Sequence, residues 1–313
     1  MSNKKILVSG SLVYDRIMDF PGFFKDHILP DKIHILNVSF LVNNLKEGFG
    51  GTAGNIAYNL SLLGEEPIIL TSVGNDFAVY QKWLKKKADL SQIKKIKKQH
   101  TASAYIITDK ADNQITGFNP GAMSVSRGRF NKGLLKDCLA IISPGNINDI
   151  EQYARLYNKE KVKYIFDPGQ SIASLNKSIL KTGIKGAFCL IGNDYEISII
   201  KKKTGWTGKV LSDKVKILII TKGVKGSRIF YQGKKYRIPP AQPKITHDPT
   251  GAGDAYRAGL IKGLAEDWPI EKVGRFASLV AVYAVEKYGT QAHKFTWQAL
   301  QKRYKKNYKS YTI

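Results

Sequence analysis

Short apolar runs recur along the chain at residues 5–9, 67–72, 139–143, 163–167, 187–191 and 217–221, separated by helical or loop segments. That alternation is the pattern of βα units wound around a mostly parallel sheet. With 313 residues and 43% hydrophobic content, the chain can bury the large core such a sheet needs, and a single domain over 1–313 is expected. No apolar run reaches membrane-spanning length, and the opening MSNKKILVSG leads into a strand without a signal-peptide core. A cytoplasmic protein is expected. Cys138 and Cys189 lie in apolar stretches without metal or redox spacing, so both read as core residues.

Two stretches stand apart, about 11–45 and 101–120. The first contains the alternating run Ile33 to Phe40, which reads as a strand, and the second reads as a hairpin turning at 109–113. Together they suit a small sheet projecting from the core. Parallel sheets place ligands at the carboxyl ends of their strands.

The most informative run is DPTGAGDAYRAGL, residues 248–260. Gly251, Ala252 and Gly253 fall at the start of an apolar helix, where unpaired N–H groups and the helix dipole attract an anion. Asp254 follows at once. A carboxylate would repel a bound phosphate, but it has a use if it takes a proton from an attacking hydroxyl while the amides stabilise a phosphoryl group in transfer. No GxxxxGK[ST] loop is present.

Other segments carry polar groups at strand ends. In FGGTAGNIAYNLSLLG, Gly50 and Gly51 permit close backbone approach and Asn55 lies one turn into a helix. Asp15 follows the first strand, Asp167 ends another in FDPG, and Asn193 and Glu196 share a helical face, or a helix cap, in GNDYE. Thr221, Lys222, Gly223 and Gly226 form a glycine-rich turn after the last strand. Fifty basic against 25 acidic residues give a charge of +25. It is spread and mostly lysine, which favours solvated faces and encounter with anionic ligands over a nucleic-acid surface.

DPTGAGD resembles the C-terminal signature of the PfkB family of ribokinase-like sugar and nucleoside kinases, with Pro249 a departure from its usual spelling. GGTAGN resembles the N-terminal signature, and N-x-x-E and T-x-G-x-x-G follow in the family's order, so the likeness spans nearly the whole chain. It implies a ribokinase-like three-layer α/β sandwich with a small β lid. Asp254 would be the catalytic base and residues 251–253 the anion hole. Asp15, Gly50, Gly51 and Asn55 would bind sugar hydroxyls. Asn193, Glu196 and Asp167 would handle Mg²⁺, usually through water. Asn193, Thr221, Lys222, Gly223 and Gly226 would meet ATP, with the helix 270–287 as a wall near the adenine. Asp248 and Thr250 match the neighbourhood where the family often uses a monovalent cation such as K⁺.

The runs GSLVYDRIMDFPG, DNQITGFNPGAM and FDPGQ resemble the prokaryotic adenosine or nucleoside kinase branch, which implies the 5′-hydroxyl of a ribonucleoside as acceptor. Phe20, Phe40, Phe118 and Met123 are then candidates to flank the base, and Gln114 and Asn119 to hydrogen-bond it or the ribose. The lid also offers a homodimer interface. Ribokinase, fructokinase or phosphofructokinase activity, a non-catalytic nucleotide-binding regulator and a nucleic-acid-binding protein are the alternatives.

Overall fold

The computed structural model describes residues 4–309; residues 1–3 and 310–313, the ends of the expected single domain, lie outside the described residues. The strands in chain order are β1 (Lys5–Ser9), β2 (Val13–Asp19), β3 (Asn43–Gly50), β4 (Ile68–Leu70), β5 (Ser72–Val73), β6 (Lys94–Lys95) and β7 (Ala102–Thr108). They continue with β8 (Gln114–Asn119), β9 (Cys138–Ile142), β10 (Lys163–Phe166), β11 (Cys189–Asn193), β12 (Ile217–Thr221), β13 (Ser227–Tyr231) and β14 (Lys234–Ile238). The main sheet runs β14-β13-β12-β11-β10-β9-β1-β4, parallel from β12 to β4 with an antiparallel edge at β13 and β14.

The central strands are buried on both faces because they are apolar along most of their length. Side chains alternate by the pleat: Ile6 and Val8 of β1 enter one core, and Leu7 enters the other. On the first face lie α1 (Thr52–Leu62), α2 (Ala78–Leu84), α7 (Ala252–Ala265), α8 (Ile270–Val285) and α9 (Trp297–Tyr308). The second is covered by α3 (Ile147–Lys159), α4 (Lys177–Lys185), α5 (Asp194–Thr204) and α6 (Gly208–Lys214). This is the expected three-layer sandwich. Cys138 and Cys189 are unpaired and buried in it.

A second sheet, β3-β2-β7-β8, forms the lid. The hairpin expected at 101–118 is present as β7 and β8, turned at Asp109, whose carboxylate accepts from the Ala111 and Asn113 amides. The strand expected at Ile33–Phe40 is absent. Pro30 opens a 3₁₀ segment, Pro30–Ile35, and β2 pairs instead with Asn43–Gly50. Phe40 closes a cluster with Phe20 and Phe24, ring centroids 4.8 and 5.1 Å away. An alternating pattern needs a free ladder to become a strand, and β2 offers its ladder to the glycine-ended segment that reaches the cleft.

Candidate active site

The strand ends and the lid enclose a cleft of about 530 Å³. Its floor begins at Gly251, which has φ +79° and caps α7 in the left-handed region, where a Cβ would press on Thr290. Gly251, Gly253, Thr250 and Asp254 line the cleft. Ala252 does not, and its N–H donates to the Pro249 carbonyl at 3.2 Å. Of the three residues expected to form an anion hole, only the two glycines line the cleft.

Asp254 Oδ2 accepts a hydrogen bond from Asn55 Nδ2 at 2.8 Å, joining two signatures 199 residues apart. Burial pushes the Asp254 carboxyl up to about 6, with the nearby Arg257 charge and the Asn55 contact working the other way. Asp15, on β2, faces the same cleft and is also pushed up to about 6, by burial and then by the charge of Asp248. Gly50 is required beside it, since a Cβ there would sit 2.1 Å from Asp15 Oδ2.

The sequence reading missed Arg257. One turn after Asp254 on α7, its guanidinium is buried and forms a fork on Asp167: Nη2 donates to Oδ1 at 2.7 Å and Nε donates to Oδ2. Burial opposes its charge, but Asp167 and then Asp254 and Glu196 outweigh that and raise its pKa further. An Arg inside an apolar helical run was the available signal, because a buried guanidinium needs a carboxylate partner.

That pair also bears on metal binding. Each Asp167 oxygen accepts one bond from Arg257, and the residue still lines the cleft. Asn193 and Glu196 form a reciprocal capping box on α5: Asn193 Oδ1 accepts from the Glu196 amide at 2.8 Å, and Glu196 Oε2 from the Asn193 amide at 2.7 Å. Both still line the cleft, and burial raises the Glu196 pKa. Among the described residues no group of three or more His, Cys, Asp or Glu is arranged to hold a metal. This donor set fits a hard ion carried on substrate phosphates and met through water, not a protein cage.

Thr221 and Gly223 of the nucleotide turn line the cleft, whereas Lys222 and Gly226 do not. Gly226 shapes the turn into β13, where a Cβ would lie 2.1 Å from the Ile238 carbonyl oxygen. No residue of α8 lines this cleft, and its Val273, Phe276, Ala277 and Val280 are core residues. Asp248 does not reach the cleft; its oxygens accept from the Thr250 and Gly289 amides at 2.8 and 3.2 Å.

In the lid, Phe118 lines the cleft. Gln114 lies on the same face of β8 but four residue pairs farther out, opposite Thr108, and does not line it. Asn119 faces the other way and accepts from the Gly121 amide at 3.0 Å. Phe20 and Phe40 pack on each other, and Met123 packs on Val13, Ala102 and Ala104, so none of the three flanks the cleft. Gln170 and Thr290 line it without having been singled out from the sequence.

A carboxylate at a helix-start anion hole, at the carboxyl ends of a parallel sheet and under a β lid, defines a phosphoryl-transfer enzyme of the ribokinase-like class. The chain belongs to the pfkB family of carbohydrate kinases, whose profile matches residues 3–297. It is an ATP-dependent kinase of the sugar and nucleoside class. It is 30% identical over 274 residues to a nucleoside kinase of Methanocaldococcus jannaschii, covering 87% of this chain and 90% of that one. A solved Burkholderia thailandensis nucleoside kinase in complex with inosine superposes with a TM-score of 0.87 at 33% identity, covering 98% of this chain and 99% of that one. The same protein in complex with ADP-inosine gives 0.84 at 35% identity, covering 98% and 97%.

Proposed function

We propose that this chain transfers the γ-phosphoryl group of ATP to the 5′-hydroxyl of a ribonucleoside, with Asp254 as the base. The observation that carries the reading is the Asn55–Asp254 contact of 2.8 Å, which brings the acceptor and phosphoryl signatures onto one carboxylate. The nucleoside kinases it resembles, one with bound inosine, support the acceptor class.

The acceptor hydroxyl gives its proton to Asp254 as its oxygen attacks the γ-phosphorus in line and the bond to ADP breaks. With Oδ2 held by Asn55, Oδ1 is left to take the proton. A carboxyl near 6 is ionised at neutral pH and more basic than an exposed one. Asp15, Gly51 and Asn55 grip the ribose, Gly50 leaves room for the Asp15 carboxylate beside them, and Phe118 gives the base an apolar face. The amides at the start of α7 receive charge on the transferring group, while the buried Arg257 offsets the carboxylates around it. Thr221 and Gly223 border the nucleotide end. Bound Mg²⁺ would neutralise phosphate charge, met through water by Asn193 and Glu196. A K⁺ site would draw on Thr250 and on the lone pairs the Asp248 carboxylate keeps beside its two amide contacts.

A phosphorylated sugar is the weaker acceptor. Among the described residues lining the cleft Arg257 is the only cation, and Asp167 occupies it. The outer lid exposes apolar side chains among its polar ones, with Leu41 85% and Leu45 59% accessible, which supports a homodimer through this sheet. The unpaired cysteines support a cytoplasmic protein, and no helix of the described residues is long and apolar enough to cross a membrane.

The test is phosphorylation of adenosine, inosine, guanosine, cytidine, ribose, fructose and fructose 6-phosphate by ATP, with Asp254→Asn as the blank. Product from nucleosides alone is expected. Product only from a free or phosphorylated sugar would overturn the acceptor.

A further inference from the structure

Behind the acceptor end of the cleft lies a buried chain of polar groups that ends on Asn55. Trp83 donates its indole Nε1–H to Gln291 Oε1 at 2.9 Å. Gln291 Nε2 donates to the Tyr80 hydroxyl at 2.6 Å and to Asn55 Oδ1 at 3.1 Å. Tyr80 in turn gives its proton to the Gly50 carbonyl at 2.8 Å.

Every direction in this chain follows from the chemistry of its ends. An indole N–H only donates, so the Gln291 atom facing Trp83 is the oxygen, and its NH₂ makes the other two contacts. A backbone carbonyl only accepts, so Tyr80 donates to Gly50 and receives from Gln291. Asn55 Oδ1 is thereby committed, and its NH₂ is turned toward Asp254. A flipped Asn55 would set an oxygen against that carboxylate.

Packing holds the chain in place. Gln291 and Tyr80 are buried, and the Tyr80 ring stacks on Phe49 at 4.5 Å. A Cβ on Gly54 would lie 2.0 Å from the Tyr80 hydroxyl and 3.1 Å from Gln291 Nε2, which explains the third glycine of GGTAGN.

We infer that Gln291, oriented by Trp83 and Tyr80, is a positioning residue for phosphoryl transfer: it locks the Asn55 amide so that a donor always faces Asp254 and one carboxylate oxygen stays committed. The inference rests on Asp254 being the base. The other charged groups around that carboxyl are Arg257 on its own helix, Asp167 after β10 and Asp15 on β2, with Glu196 of α5 acting on Arg257. Only the Asn55 contribution changes sign with amide orientation.

Gln291→Met removes the lock and leaves Asn55 Oδ1 without its donor. A roughly tenfold loss of kcat is expected, with the acidic limb of the kcat–pH profile moved up by about half a unit to one unit. Trp83→Phe keeps an aromatic ring in the stack and deletes the N–H that sets the direction; a smaller shift of the same sign is expected. If Gln291→Met does not fold, Trp83→Phe carries the test. Variants that melt cooperatively and keep the wild-type limb overturn the inference, even if kcat falls, since lost packing alone would not move that limb. Near-normal turnover by Asp254→Asn would instead remove the base assignment on which it stands.

Discussion

The floor of the cleft and its lid are built on opposite terms. On the floor, Asp254, Asn55, Asp167 and Arg257 each have a partner on another element, and the spacings bridge 90 and 199 residues of chain. In the lid, every residue of β8 is exposed, Phe118 remains 48% accessible, and Gln114 has only a 3.5 Å contact with Thr108. The difference follows from what each end must do. Stabilising charge in transfer requires dipoles fixed beforehand, which costs no reorganisation during the reaction. Admitting and releasing an acceptor requires a region of few buried contacts.

The largest break in this contrast is Asp254→Asn. A loss of about a thousandfold in kcat is expected, with both KM values within about threefold, measured by steady-state kinetics. The same variant reports on stability. The Asp254 carboxyl sits near 6 in the folded protein against 3.8 for the ordinary group, so the folded state holds the proton more tightly. Its charge therefore opposes folding above pH 6, and that penalty fades as pH falls toward 4. Thermal melts should show the variant more stable than wild type by about 1–2 kcal/mol at pH 8 and level with it at pH 4. Equal melts at both values would mean the floor pays no cost for its charge.

Arg257→Met tests whether the floor is one unit. Removing one partner of a buried pair strands the other, so a loss of about 3–5 kcal/mol in denaturant unfolding is expected. Arg257→Lys should recover only part of it, because an ammonium does not reproduce the two-pronged contact with Asp167. Full recovery by lysine would reduce the pair to simple charge balance.

A pH series sharpens the comparison further. Asp254 on the floor and Asp15 in the lid are both held near 6, so kcat/KM should rise steeply below pH 6, by up to about a hundredfold per unit, and level off above it. In Asp15→Asn the slope should fall to about tenfold per unit, with the nucleoside KM raised and the kcat limb still near 6. An unchanged slope would remove the Asp15 charge from acceptor binding.

The smallest effects belong to the outer lid. Phe118→Ala should raise the nucleoside KM by about tenfold and leave the ATP KM unchanged, as expected for a lost aromatic contact. Gln114→Ala should change neither KM nor stability by more than about 0.5 kcal/mol, being an exposed strand position outside the cleft. A comparable effect at both positions would mean that the lid closes farther over the acceptor.

Local chemistry set much of this molecule in advance. The apolar runs of β1, β9, β10, β11 and β12 were legible because a strand covered on both faces is apolar on successive residues, with polar groups only toward its ends, and the 109–113 turn was legible through its Asp and Asn. Asp254, Asn55, Asp15 and Glu196 could be picked out because their spacing to glycines or helix starts is a property of a few consecutive residues. What the chain did not reveal locally was partnership. Nothing near Arg257 in sequence names Asp167, and nothing near Gln291 names Trp83 or Asn55. Ile33–Phe40 has the alternation of a strand, yet the ladder of β2 goes to Asn43–Gly50. A buried polar group is satisfied by whatever the fold brings within 3 Å, and a strand exists only where a neighbour's edge is free; both are decided when distant segments meet.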